Sequence, residues 1–185
     1  ADSYNAGDWF NKLDWSCRTN NFGVGLPSSE KNRDRWDIIK PILARDDITP
    51  GEKEIRASLA HFTEMLRIRR STPLLRLRTA SDVQGRVEFH NTGPQQQSGV
   101  IVMSVSDTGE GLPVLDPDVR RLVAIVNAGP EKATFESAVW LGASFELHPV
   151  LASSDDRVVR ESDFEAVTGR LTGRRRTTAV FVERR

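Results

Sequence analysis

The hydrophobic pattern of this chain changes period once, at Pro73, and that change limits the architectures open to it more than any other feature. Beyond Pro73 the apolar residues gather in short runs rich in β-branched and aromatic side chains, at 87–90, 100–105, 122–127, 134–140, 145–150, 164–167 and 177–182. Gly, Pro, Asp or Asn bound most of them, which is the punctuation of strands joined by turns. A helical turn fits 81–84, and no other helical window follows. Seven short strands with turn signals between them predict an antiparallel sandwich over residues 74–185. The runs at 100–105 and 122–126 are apolar without alternation, so they are expected at the centre of a sheet.

Before Pro73 the period is helical. Trp36, Ile39, Ile42 and Leu43 recur at helical spacing around Pro41, which is expected to kink or split a helix over 35–44. A second start is written as Thr49-Pro50-Gly51-Glu52: Thr49 suits the cap, Pro50 the first helical position, and Glu52 closes a capping box. Ile55, Leu59, Phe62, Leu66 and Ile68 or Arg69 then follow the i, i+4, i+7, i+11 rhythm of one apolar face. The helix is expected to stop near Ser71, because Pro73 disfavours helical geometry at Thr72. The chain therefore reads as α+β.

Composition excludes several function classes. Lys plus Arg number 26 and Asp plus Glu 26, so no global field draws nucleic acid, anionic membrane or acidic substrates. The basic run at 170–176 and Arg184–Arg185 read as solvated surface, and no nucleic-acid partner is expected. No run of about twenty apolar residues provides a membrane span. Cys17 is the single cysteine, which rules out an internal disulfide and reads as a structural thiol. His61, His90 and His148 lack metal-ligand spacing. Gly23-Val24-Gly25 lacks the following pattern of a dinucleotide turn. The start ADSYNAGDWF has neither a basic end nor an apolar run, so it is expected to continue something longer.

Residues 1–34 are a long stretch with little periodicity, and such loops are usually functional. Within them Ser3–Trp15 alternates planar polar groups (Asn5, Asp8, Asn11, Asp14) with aromatic plates (Tyr4, Trp9, Phe10, Trp15). Sugars offer apolar C–H faces for rings and hydroxyls for carboxylates and amides, so the pattern suits carbohydrate better than phosphate or peptide. Structural roles compete at each position. Asp8 and Asp14 are also suited to capping turns, more so Asp14. Trp9 and Phe10 are adjacent, so an extended loop turns one outward and the other in. Trp15 and Trp36 are expected to pack.

SYNAGDWFNKLDW followed by NNFGVGLP (Asn20–Pro27) resembles the stretch near the end of the catalytic barrel in pullulanases and limit dextrinases, where the family wording is close to D-S-Y-N-S-G-D-W-F-N. Asp2 through Asn11 match it, with Ala6 in place of Ser. LRIRRSTPLLRL (66–77) is similar to the family's helix-to-sandwich junction. GVIVMSVSD (99–107), LDP (115–117) and LHPV (147–150) resemble its C-terminal β-domain, and TTAVFV (177–182) its last strand. The likeness runs in order along nearly the whole chain.

The resemblance implies a retaining glycoside hydrolase of the α-amylase superfamily that cuts α-1,6 branch points in pullulan, amylopectin and limit dextrins. It implies a fold in two parts: residues 1–73 as the terminal loop and closing helices of a (β/α)8 barrel, and residues 74–185 as a C-terminal antiparallel β-sandwich. The aromatic-polar segment then lies at the substrate rim, on the loop face where barrel active sites sit. Tyr4, Asn5, Asp8 and Trp9 become the candidate substrate-binding residues. No catalytic residue is assigned. The nucleophile and acid/base carboxylates, which a retaining enzyme holds about 5–5.5 Å apart, come in this family from earlier strands, so the partner expected is the upstream catalytic barrel. No cofactor is expected in the chain itself; calcium, common in the superfamily, is left to the parent enzyme, since no acidic cluster of suitable spacing appears here. For a bacterial source the likeness favours an extracellular or cell-envelope location. The rival reading is a non-catalytic carbohydrate-binding or structural β-sandwich module.

Overall fold

The computed structural model describes residues 8–109 and 111–185. The chain divides into two compact units between Thr63 and Glu64. The first unit is loop and helix. A 3-10 turn at Asp8–Asn11 leads into a β-bridge between Leu13 and Asn20, then to helix α1 (Ser29–Asn32), a 3-10 turn at Arg33–Arg35, helix α2 (Trp36–Leu43) and a 3-10 turn at Asp46–Ile48. Pro41 sits inside α2 without splitting it. Two residues further on, the helix is over, so the missing amide and the ring clash perturb only its last turn.

Helix α3 (Glu52–Ser71) starts two residues later than the Thr49 cap predicts. Thr49 is extended, with its amide bonded to Asp46 O at 3.2 Å. Gly51 takes the cap position instead: Ile55 N donates to Gly51 O at 3.1 Å, and Gly51 N donates to Glu54 Oε2 at 3.0 Å. Glu54 thus makes the back-bond of a capping box, and Glu52 pairs with Arg56 at 2.8 Å.

The second unit carries the end of α3 and all eight strands. Helix α3 stops at Ser71 as Pro73 requires, and Thr72 is extended at φ −144° and ψ 144°. Its hydroxyl caps the 3-10 turn Pro73–Arg76 by accepting from Leu74 N at 3.1 Å. Helix α4 (Ala80–Arg86) follows, capped by Thr79, whose hydroxyl accepts from Asp82 N at 3.0 Å. The strands are β1 (Val87–Phe89), β2 (Val100–Ser106), β3 (Val119–Asn127), β4 (Ala133–Glu136), β5 (Glu146–Leu147), β6 (Asp163–Glu165), β7 (Arg170–Gly173) and β8 (Thr177–Arg184). One sheet runs β1-β2-β3-β8-β5 and the other β4-β7-β6, with antiparallel pairing throughout.

The middle of the larger sheet is covered on both faces, while Phe89 and Ile101 toward the β1 edge stay exposed, which explains why β3 and β8 read as nearly unbroken apolar runs. On one face Val102, Ile125 and Ala179 form a cross-strand row, beside a row of Ser104, Val123 and Phe181. Across from Ile125 lies Gly173 of β7, where an added Cβ would stand 3.1–3.2 Å from three carbons of the Ile125 side chain. Glycine is therefore what lets the two sheets approach there. On the opposite face Val105, Leu122 and Val182 align. There Met65 and Ile68 of α3, with Leu75, help to enclose a cavity of about 230 Å³. Phe181, Leu151 and Leu171 are almost wholly buried, each contributing about 1.5–3 kcal/mol of transfer free energy.

Three details differ from the predicted strands. The run 134–140 is a strand only to Glu136 and then a 3-10 turn, Ala138–Trp140, that sets Trp140 into the aromatic core against Phe145 and His90. The run 145–150 is strand for two residues; Pro149 then opens helix α5 (Pro149–Ala152), with the His148 ring accepting from Val150 N at 3.3 Å. Strand β7 and helix α6 (Arg157–Arg160) were not anticipated.

A buried ionic cluster ties the second unit's start to its end. The Arg86 side chain, shut off from solvent, donates to Asp107 Oδ1 at 2.6 Å and to Pro113 O at 2.6 Å. Asp107 also accepts from Leu115 N, Asp116 N and Arg185 Nη2 at 3.0, 3.0 and 2.8 Å. Asp116 accepts in turn from Thr72 Oγ1 at 2.5 Å. Burial pushes the Asp107 carboxyl upward, but the Asp116 and Leu115 amides, Arg185 and Arg86 outweigh it and hold its pKa below the ordinary value.

Candidate functional site

The residues singled out in the sequence lie in the first unit. Tyr4 and Asn5 fall outside the described residues. Asp8 opens the 3-10 turn and is exposed. Trp9 is 57% exposed, and its ring meets Phe10 edge-on at 5.1 Å. Phe10 turns inward: a Cβ added at Gly25 would stand 3.0 Å from Phe10 Cε1, so Gly25 makes room for that ring. The adjacent aromatic pair thus splits into an outward and an inward member.

A hairpin supports the turn. Asp14 N donates to Thr19 O at 3.1 Å and Asn21 N to Lys12 O at 2.9 Å, on either side of the Leu13–Asn20 bridge. At its tip the Asp14 carboxylate accepts from Ser16 N at 2.6 Å and Thr19 N at 2.8 Å, and from the hydroxyls of both residues. The hydrogen bonds from the Ser16 and Thr19 side chains hold its pKa well below the carboxylate range. Asp14 is therefore a turn-builder and is not poised to carry a proton.

Asn20 and Asn21 fasten the hairpin. Asn21 Nδ2 donates to Trp9 O at 2.6 Å, fixing the backbone that carries the exposed indole. Asn20 Nδ2 reaches Pro50 O at 3.1 Å, while its Oδ1 accepts from Phe22 N at 2.9 Å. Arg56 of α3 donates to Ser16 O at 2.9 Å, and Glu52 bridges Arg56 and Arg18 at 2.8 and 3.4 Å. These fasteners were not assigned in the sequence. The signal was the NNF triplet, where two adjacent amides precede an aromatic inside a loop.

Trp15 corrects its expected role. It is not packed but fully exposed. The Asp14 turn throws it outward, over an apolar cleft of about 580 Å³ lined by Leu13, Cys17, Pro50, Ile55, Leu59 and Phe62 among others. The helical rhythm that predicted a buried face on α3 is present, yet Leu59 and Phe62 remain more than half exposed and form the cleft wall. Trp36 is half-buried, with its indole N–H on Pro27 O at 3.0 Å. Cys17 is buried at the cleft. Among the described residues no group of three or more His, Cys, Asp or Glu is placed to hold a metal ion. No helix among the described residues is long and apolar enough to cross a membrane.

An exposed indole on a braced turn, beside amides and an apolar cleft, can stack on a sugar face, but it supplies no pair of carboxylates for hydrolysis. Residues 17–184 match the family described as alpha-1,6-glucosidases, pullulanase-type, C-terminal. The chain is 46% identical over its full length to Pullulanase 1, chloroplastic, of Arabidopsis thaliana, and 34% identical over 92% of its length to a pullulanase of Klebsiella pneumoniae. It spans only 19% and 15% of those proteins. Crystal structures of Klebsiella pneumoniae pullulanase, apo and complexed with maltotriose, superpose on the whole chain with TM-scores of 0.85 and 0.84 at 34% identity. The chain corresponds to 20% and 17% of the two.

Proposed function

The chain belongs to the pullulanase-type alpha-1,6-glucosidases, matching their C-terminal region, and from that membership we propose that it serves as the C-terminal portion of a glycoside hydrolase that cleaves α-1,6-glucosidic branch points in pullulan and starch-type glucans. The family match from residue 17 to residue 184 carries this reading. In it, residues 1–73 complete a (β/α)8 barrel and residues 74–185 form the sandwich behind it. Tyr4, Asn5, Asp8 and Trp9 contribute to the rim of the glucan site, with Trp9 stacking on a sugar face. The nucleophile and the acid/base belong to the remainder of the parent enzyme, as does any calcium.

The apolar cleft supports this assignment. Leu13, Trp15, Leu59 and Phe62 are each about half exposed or more, around one cleft, and a contiguous apolar patch of that kind marks an interaction surface. We seat the remainder of the barrel on it.

The test pairs two proteins. Incubated with pullulan, the 185-residue chain should release no reducing ends. Joined to the upstream part of the Arabidopsis relative, it should release them, and Trp9→Ala in that chimera should raise KM more than it lowers kcat. Hydrolysis by the chain alone would sink the reading. Calorimetry with branched maltodextrins addresses the rival module: sub-millimolar binding by the isolated chain, abolished by Trp9→Ala, would favour it.

A further inference from the structure

We propose that the end of the sandwich formed by the β3–β4 and β7–β8 turns is a binding site for a sugar phosphate. The two turns are stitched together before any ligand arrives. The buried side chain of Asn127 donates to Glu131 O at 2.7 Å on one turn and to Arg174 O at 3.0 Å on the other, while its Oδ1 accepts from Gly129 N at 2.9 Å. Arg176 N donates to Gly129 O at 3.0 Å. Helix α6 flanks them, held by Arg174 Nε on Glu161 O at 2.9 Å. Between these walls lie two adjoining clefts of about 470 and 430 Å³ that share Pro130, Val158 and Arg175.

The charges in this groove do not cancel. Lys132, Arg175 and Arg176 line it, are exposed, and have no ionic or side-chain hydrogen-bond partner among the described residues. Two of the lining carboxylates are already engaged: Asp156 caps α6 through Val158 N at 2.8 Å, and Glu161 pairs with Arg174 at 3.5 Å. Lys132, Arg174, Arg175 and Arg176 together face Glu131, Asp156 and Glu161, so the groove keeps a net charge of +1. Arg176 has φ 46°, a left-handed backbone that favours glycine, so the turn keeps a guanidinium where glycine would sit without strain.

Unpaired guanidinium groups on a fixed frame suit a phosphoryl group, which accepts charge-assisted hydrogen bonds from them. Pro130 and Val158 add an apolar strip of the kind that receives the C–H face of a sugar. The shared chemistry is the phosphate monoester, and the strip is what selects the sugar-bearing form over the free anion. This inference is independent of the debranching assignment.

The chain can be titrated at low ionic strength with glucose 6-phosphate, inorganic phosphate and glucose, following amide chemical shifts. Expected are saturable shifts at Gly129, Glu131, Lys132 and 174–177 with glucose 6-phosphate, an affinity for inorganic phosphate about tenfold weaker, and no shift with glucose. Arg175→Gln combined with Arg176→Gln should weaken glucose 6-phosphate binding by about tenfold or more at an unchanged Tm. Lys132→Gln, on the opposite turn, should act in the same direction and decides the matter if the double variant does not fold. Absence of saturable shifts with glucose 6-phosphate up to ~10 mM would overturn the proposal. So would equal affinity for inorganic phosphate, or binding that survives these substitutions.

Discussion

Replacing Asp107 by Ala should cost the second unit more than any other single polar truncation in it. The carboxylate is the only acceptor that Arg86 Nη1 has, and the Arg86 side chain has no exposure to water. Removing it leaves the buried guanidinium with only Asp82, 3.4 Å from Nε at the edge of the site, and Pro113 O, and also frees the amides of Leu115 and Asp116 and one arm of Arg185. Breaking a buried pair from one side costs about 3–5 kcal/mol, because the remaining charge loses its compensation without regaining water. With an m-value of about 2 kcal/mol per molar urea, the midpoint should fall by about 2 M, read by the fluorescence of the buried Trp140. The double variant Arg86→Met/Asp107→Leu discriminates the mechanism. An apolar pair of similar volume removes both charges, so it should recover most of the lost midpoint. A double variant as unstable as Asp107→Ala would refute the reasoning, since the cost would then lie in the lost backbone acceptors alone. Acid should mimic the single variant. The folded pKa of Asp107 lies below its unfolded value, so its contribution is complete above about pH 4 and is lost as pH falls through the folded value.

Two further perturbations address other layers. Gly173→Val should destabilise the unit by about 1–3 kcal/mol through overpacking on Ile125, measured by urea titration, and Gly173→Val/Ile125→Ala should restore part of it; no rescue would mean the sheets do not meet there. His148 is held neutral by burial and by the positive charge of Arg184, with its ring bonded to Ser71 Oγ at 3.1 Å and to Val150 N. Its folded pKa lies below the unfolded one, so stability is full above about pH 6.5 and declines as pH falls beneath that. His90, lowered by burial against the opposing effect of Glu88, adds the same sign. Urea midpoints between pH 7.5 and 5.5 should therefore drop, and His148→Gln should flatten the drop; level midpoints in the parent chain would contradict the assignment.

The outline of the sandwich was legible because β3 and β8, and the C-terminal half of β2, are covered on both faces, and continuous apolar runs survive without any knowledge of partners. Strand β7 was not. Its inward residues are Leu171 and Gly173, a single apolar side chain and none at all, between arginines that read as a solvated tail. Helices α1, α5 and α6 span four residues each, too few for a 3.6-residue period to declare itself. At the candidate site, the turn-building Asp14 followed from residue type, and adjacency indicated that Trp9 and Phe10 would face opposite ways without saying which of them turns outward. The exposure of Trp15 did not, because it depends on which way the hairpin tip points, a property set by Thr19 and Ser16 meeting one carboxylate. The face of α3 was legible as apolar, but periodicity states that a stripe exists and is silent on what covers it.

The unequal settings of the tryptophans make this chain its own optical gauge. Trp140 sits at 1% exposure inside the sandwich and Trp15 stands wholly in solvent. A variant keeping only Trp140 would emit at short wavelength until the second unit unfolds. One keeping only Trp15 would emit at long wavelength from the outset and shift to the blue when something apolar closes over its cleft. Loss of fold and gain of a neighbour therefore move the emission in opposite directions, from two different residues, so the pair of variants separates the sandwich's integrity from the occupancy of the cleft.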